Sequence, residues 1–82
     1  MNYGILFERI EDTGFPPGQY YAHIPSLGLS THGSGVEGAR AAARDLARLW
    51  IAEKRANHEA VPAPGDIFFA TLELPEDALQ GA

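Results

Sequence analysis

Three histidines are the residues in this chain best suited to bind a metal ion or to move a proton. His23, His32 and His58 lie on three different predicted elements, without the H-x-x-H or H-x-x-x-H spacing that places two imidazoles together. Isolated histidines in strands and turns are usually ordinary surface side chains. The spacing therefore predicts no metal site and no cofactor, and a small metal-dependent hydrolase using His23, His32 and nearby acids is kept as an alternative.

Adjacent carboxylates could supply acid–base chemistry, and the chain has two such pairs, Glu11 with Asp12 and Glu76 with Asp77. The first pair lies in a predicted loop and the second in the C-terminal tail, where neighbouring acids usually only interact with water. The hydroxyl residues form no G-x-S-x-G nucleophile motif. We therefore expect no catalytic residue and predict that the protein is not an enzyme.

The acidic balance of the chain restricts its partners. Its 82 residues include 11 Asp and Glu against 6 Lys and Arg, which gives a formal net charge of −5, and there is no cysteine. Since nucleic-acid binding depends on cations that displace counterions, direct binding to DNA or RNA is not expected, whereas a basic protein is a suitable partner. No apolar run approaches the ~20 residues of a membrane span, and the N-terminus lacks a signal-peptide pattern, so a cytoplasmic protein is expected.

The pattern of apolar and turn-forming residues predicts one domain over residues 1–82, with the element order β-β-β-α-β. The predicted strands cover residues 1–10, 19–24, 29–32 and 67–74. The fold class is α+β, with a mostly antiparallel four-stranded sheet in the order 3-2-1-4. A right-handed crossover places the last strand beside the first, and the one long helix packs on one face.

The helix start is predicted by Ser34 and Glu37, which form an S-x-x-E capping box. An apolar stripe follows at spacings of three and four residues, and Asn57 is a plausible cap after the last turn. A second stripe consists of Arg40, Arg44 and Arg48. It is either a solvated helix face or a contact with an acidic partner or a second subunit.

The predicted strands are apolar on both faces, but one helix can cover only one of them. Leaving large apolar side chains in water would forgo ~1.5–3 kcal/mol each, which is comparable with the net stability of so small a domain. A partner or a second copy is therefore expected to cover the other face or an edge. A homo-oligomer, either a dimer or a tetramer, is the expected assembly.

Three segments in sequence order resemble the HicB-like antitoxins. Residues 18–27, G-Q-Y-Y-A-H-I-P-S-L, resemble the family's aromatic G-x-Y-x-A-x-x-P-D-L strand and turn. Residues 31–39, T-H-G-S-G-V-E-G-A, resemble its G-[DS]-[TS]-x-E-E-A helix start, and residues 60–64, A-V-P-A-P, resemble its I-P-x-P segment. The chain departs from the pattern at Gly35 and Gly38, where the family has a hydroxyl residue and a Glu.

The resemblance implies a partial RNase H-like fold and a role in a prokaryotic toxin–antitoxin system. Such antitoxins cover the surface of HicA-type toxins, which are small basic ribonucleases. Full-length members continue into a DNA-binding domain, for which the sequence of this chain provides no counterpart. An orphan oligomeric structural or ligand-binding protein of the same fold, without a toxin partner, is the main alternative.

The leading interpretation is a non-catalytic protein-binding module. Candidate partner-binding residues are the acids that a basic surface would attract, together with the aromatic and Arg side chains that are enriched at interface centres. They are Glu8, Glu11, Asp12, Tyr20, Tyr21, Glu37 and Arg44.

Overall fold

The computed structural model describes residues 1–76 and contains one antiparallel sheet and one long helix. The strands are β1 (Leu6–Arg9), β2 (Gln19–Ile24) and β3 (Leu29–Ser34), and the helix is α1 (Gly35–Ala56). A single 3₁₀ turn, Pro25–Leu27, joins β2 to β3. The strand order is β1-β2-β3, so each strand pairs with its neighbour in sequence.

The predicted fourth strand and the sheet order 3-2-1-4 are wrong. Residues 67–74 carry no strand and pair with no strand in the part of the chain that the structure describes. After α1 the chain passes beside the segment that precedes β1. There the hydroxyl of Tyr3 donates to the carbonyl of Pro62 at 2.7 Å. The side chain of Ile67 then lies against Gly4, where an added Cβ would be 2.6 Å from Ile67 Cγ1. This contact is made by a side chain and not by backbone hydrogen bonds. Residues 67–74 therefore have the composition of a strand without forming one.

The core lies between the sheet and α1 and is built from small side chains. Ala22, Ala39 and Ala43 are almost fully buried, and Ile24 and Leu27 complete the buried cluster. Larger residues pack around it while remaining partly exposed: Tyr3, Ile5, Phe7, Tyr20, Leu29, Trp50 and Ile51. Because the buried helix residues are alanines, α1 approaches the sheet closely.

The closest approach of α1 to the sheet occurs at two glycines. A Cβ on Gly33 in β3 would lie 2.5 Å from the carbonyl carbon and oxygen of Gly38 in α1. Real Cβ atoms essentially never come so close, so only glycine fits at position 33. A Cβ on Gly38 would meet its neighbours no closer than 3.6 Å, which is an ordinary contact.

The helix begins where the capping box predicts, but without the hydrogen bonds of the box. Ser34 occupies the N-cap position and its side chain makes no capping hydrogen bond. Glu37 lies instead 3.9 Å from Arg40, one turn further on. The physical reason is Gly35, whose φ of +66° is left-handed. This residue turns the backbone so that its own N–H donates to the carbonyl of Gly18 at 2.8 Å.

The expectation that the sheet is apolar on both faces is also wrong. Cross-strand partners share a face, and Ala22 and Ile24 of β2 are buried against the helix, so the alternate residues face outward. We call this second side the outer face. It consists of Leu6, Glu8, Gln19, Tyr21, His23, Ser30, His32 and Ser34. Most of the strongly exposed large apolar side chains lie elsewhere, after α1.

Within the described residues, no helix combines the length and apolar character needed to cross a membrane.

Candidate protein-binding face

The outer face is positioned by the register of the sheet. Glu8 lies opposite Tyr21, Tyr21 lies opposite His32, and His23 lies opposite Ser30. These side chains therefore form neighbouring rows across the three strands, without a helix above them. The face combines carboxylate, hydroxyl, imidazole and phenol groups.

Four aromatic rings form a continuous cluster on this face. Phe15, from the loop between β1 and β2, packs edge-on against His32 with ring centroids 5.2 Å apart. It also packs edge-on against Tyr21 at 6.1 Å, and Tyr21 lies 5.7 Å from His23. Phe15, Tyr21 and His23 are partly exposed, and His32 is exposed. The cluster thus presents rigid aromatic surface to a partner.

The loop that carries Phe15 is held by Asp12. Its carboxylate accepts a hydrogen bond from the N–H of Gly14 at 2.8 Å, and its carbonyl accepts one from the N–H of Phe15 at 3.1 Å. This is the turn that an Asp followed by Gly commonly forms. Asp12 therefore positions Phe15 while its own carboxylate stays exposed, and Glu11 beside it is exposed as well.

A chain of polar contacts crosses all three strands. His23 Nε2 lies 3.2 Å from Glu8 Oε1, and His23 Nδ1 lies 2.8 Å from Ser30 Oγ. A carboxylate only accepts, so Nε2 carries the proton donated to Glu8. In the neutral imidazole, Nδ1 then accepts from the Ser30 hydroxyl. Cross-strand pairs of this kind stabilise a sheet by about 0.2–1 kcal/mol each.

The same contacts follow the order nucleophile, base and acid. Covalent catalysis by a serine also needs donors aimed at an oxyanion and a place that binds substrate. Two cavities among residues 1–76 have volumes of about 480 and 380 Å³, and neither is lined by His23 or Ser30. Among these residues, no group of three His, Cys, Asp or Glu could hold a metal ion.

The cations are concentrated on α1, which also carries Glu37, Asp45 and Glu53. All of the 6 Lys and Arg residues except Arg9 lie on α1. The outer face carries Glu8 and no Lys or Arg, and the adjoining loop carries Asp12 and Glu11, of which Glu11 lies near Arg9. Arg9 lies opposite Tyr20 on the helix side of the sheet. Hydrogen bonding to Tyr20 raises the pKa of the Arg9 guanidinium above its ordinary value.

The structure brings some of the predicted contact residues together and separates others. Glu8 and Tyr21 are cross-strand partners on the outer face, and Glu11 and Asp12 follow in the adjoining loop. Tyr20 points the other way and packs beside the core.

Glu37 and Arg44 lie on α1, away from the outer face. The sequence analysis missed Phe15, His23 and His32 as neighbours of Tyr21. The alternation of β2 and β3 was the available signal for the two histidines, but the packing of Phe15 depends on the loop conformation.

Comparison of the chain with protein-family models, with curated proteins and with solved structures finds no match. The likeness to HicB-like antitoxins therefore depends on the sequence segments quoted above.

Proposed function

We propose that this protein is a non-catalytic protein-binding module, and that its partner is a small basic ribonuclease of the HicA type. The resemblance to HicB-like antitoxins implies that the protein acts by covering the toxin, and in this proposal the outer face is the surface that does so. The module acts in the cytoplasm, where such a ribonuclease would find its RNA. It needs no cofactor.

The observation that carries the proposal is the separation of charge. The outer face and the loop before β2 present Glu8, Glu11 and Asp12, while α1 carries five cations and three acids, a net charge of +2. A basic protein approaching the molecule is therefore attracted more strongly to the outer face than to α1. Such complementarity chiefly raises the association rate and selects the partner.

The aromatic cluster supplies the second requirement of an interface, which is apolar surface at its centre. Tyr side chains are enriched among the residues that dominate binding energy, because they combine a large ring with a polar group. Tyr21 lies at the middle strand, with Phe15, His23 and His32 around it. A partly exposed aromatic centre with acids nearby suits the surface of a basic protein.

The test is binding to the product of the gene adjacent to that of this chain, which the proposal requires to be a small basic protein. Glu11→Lys introduces a cation in the loop before β2, and we expect it to weaken the complex at least tenfold, or ~1.4 kcal/mol. Glu53→Lys makes the same change of charge on an exposed position of α1, so it is the matched control and leaves the affinity within about twofold.

Inhibition provides the functional measurement. Co-expression of the wild-type chain restores growth of cells that produce the toxin, and purified chain suppresses RNA cleavage at equimolar concentration. Glu11→Lys is expected to do both less well than Glu53→Lys. An orphan protein without a toxin partner predicts no binding, no rescue and no difference between the two variants, and this outcome would refute the proposal.

A further inference from the structure

The chain after α1 carries an exposed, acidic and aromatic arm. We define the arm as residues 66–76, D-I-F-F-A-T-L-E-L-P-E. Phe68, Phe69 and Leu72 are 88%, 79% and 82% exposed. Two neighbouring phenylalanines in water are unfavourable for an isolated small domain, because burial of each would contribute ~1.5–3 kcal/mol.

The arm leaves the body of the molecule near the start of β1. The N–H of Gly65 donates to Ser26 Oγ at 3.4 Å, and Ile67 packs against Gly4. Beyond Ile67, every residue of the arm is exposed. The radius of gyration of 16.0 Å exceeds the ~12 Å expected for a compact chain of this length. The longest extent of 50 Å is also greater than the ~33 Å of a 22-residue helix.

A groove on the opposite side of the molecule from the outer face is complementary to the arm in charge and in apolar character. It lies between the N-terminal segment and α1 and has a volume of about 380 Å³. Small and apolar side chains form much of it because α1 presents alanines there, and two arginines lie along its helix side. The lining residues are Asn2, Tyr3, Ile5, Ile24, Arg40, Ala43, Arg44 and Ala47.

Charge and shape match the arm to this groove. The arm contains Asp66, Glu73 and Glu76 and no Lys or Arg, whereas the groove contains Arg40 and Arg44 and no acid. The guanidinium of Arg40 already lies 5.7 Å from the centroid of the Phe7 ring, which shows that an aromatic ring is accommodated beside this cation.

We propose that two copies of this chain form a dimer in which the arm of each copy docks in the groove of the other. The arm does not occupy its own groove, since its aromatic side chains are exposed. A reciprocal exchange uses the same contact twice and closes with two-fold symmetry.

The two phenylalanines of each arm supply the apolar surface for this dimer. An aromatic side chain buries ~150–250 Å², so the four phenylalanines of two arms supply ~600–1,000 Å². The outer face stays free, so dimerisation is independent of the proposed partner binding.

The first experiment measures the mass of the full chain by sedimentation equilibrium. We expect the wild type to be a dimer at micromolar concentration, and the Phe68→Ser/Phe69→Ser variant to sediment as a monomer. Leu49→Ser removes another large side chain, which is 72% exposed on α1 and does not line the groove, and this control stays dimeric. A monomeric wild type, or a dimer unaffected by the arm variant, would overturn the inference.

Reversal of charge identifies the contact. Arg40→Glu/Arg44→Glu in one chain, and Asp66→Lys/Glu73→Lys in another, are each expected to weaken self-association at least tenfold. When the two variants are mixed, we expect them to form a heterodimer, because each arm then meets a groove of opposite charge. No heterodimer on mixing, despite circular dichroism spectra like the wild type, would contradict arm-in-groove docking. Loss of the dimer with intact toxin binding would leave the proposed function standing.

Discussion

Two glycines that face each other across the junction of β3 and α1 predict opposite effects of the same substitution. Gly33 and Gly38 both lie within six positions of the buried Ala39 in the sequence. Substitution by alanine would add one methyl group at either position. At Gly33 the new Cβ would be 2.5 Å from backbone atoms of Gly38. At Gly38 it would have at least 3.6 Å to its nearest neighbour.

The magnitudes follow from these distances. The clash at position 33 involves backbone, which cannot move aside as a flexible side chain could, so Gly33→Ala is expected to cost ~3 kcal/mol, the upper part of the usual range for overpacking. Gly38→Ala removes a glycine from a helix interior and is expected to stabilise by up to ~1 kcal/mol. The two variants should therefore differ by ~4 kcal/mol, as much as the ~3–5 kcal/mol net stability of a domain this small.

Thermal unfolding followed by circular dichroism measures both effects. At a fixed protein concentration, Gly38→Ala should raise Tm by about 4–8 °C, while Gly33→Ala should lower it by more than about 12 °C or prevent folding. Urea unfolding gives the free energies directly. If Gly33→Ala unfolded within 1 kcal/mol of the wild type, or if Gly38→Ala were equally destabilising, the close approach of β3 and α1 would be refuted.

Three further predictions concern the start of the helix and the outer face. Gly35→Ala forces a side chain into a left-handed conformation at φ +66° and should cost ~1–2 kcal/mol in urea unfolding; a change below 0.5 kcal/mol would contradict the turn. Phe15→Ala should weaken partner binding about tenfold in calorimetry, because it removes the ring that supports Tyr21 and His32, and unchanged affinity would exclude the aromatic cluster from the interface. Raising NaCl from 50 to 500 mM should slow association with the basic partner at least tenfold in stopped-flow measurements, and a salt-independent rate would contradict electrostatic steering.

Patterns among neighbouring residues were sufficient to predict β2 and the end of α1. The second strand begins at Gln19 and ends at Ile24 as predicted, and α1 ends at Ala56 with Asn57 as its cap. The opposite orientations of Tyr20 and Tyr21 follow from the alternation of side chains along a strand.

The errors arose where tertiary context decides. Residues 67–74 have the composition of a strand, but composition does not show whether an edge is within reach of the backbone, and Ile67 meets Gly4 through its side chain. The capping box failed because Gly35 turns left-handed and gives its N–H to Gly18, which is distant in sequence. The polar character of the outer face was predictable from β2, because His23 alternates with Ala22 and Ile24 and therefore points to the opposite face.

The central claim is that the outer face binds a basic ribonuclease. Isothermal titration calorimetry of the full chain against the protein encoded by the adjacent gene tests this claim most directly. We predict a saturable complex with a Kd of ~1 μM or tighter, weakened at least tenfold by Glu11→Lys and unchanged by Glu53→Lys. Absence of binding by the wild type, or equal loss of affinity in both variants, would contradict it.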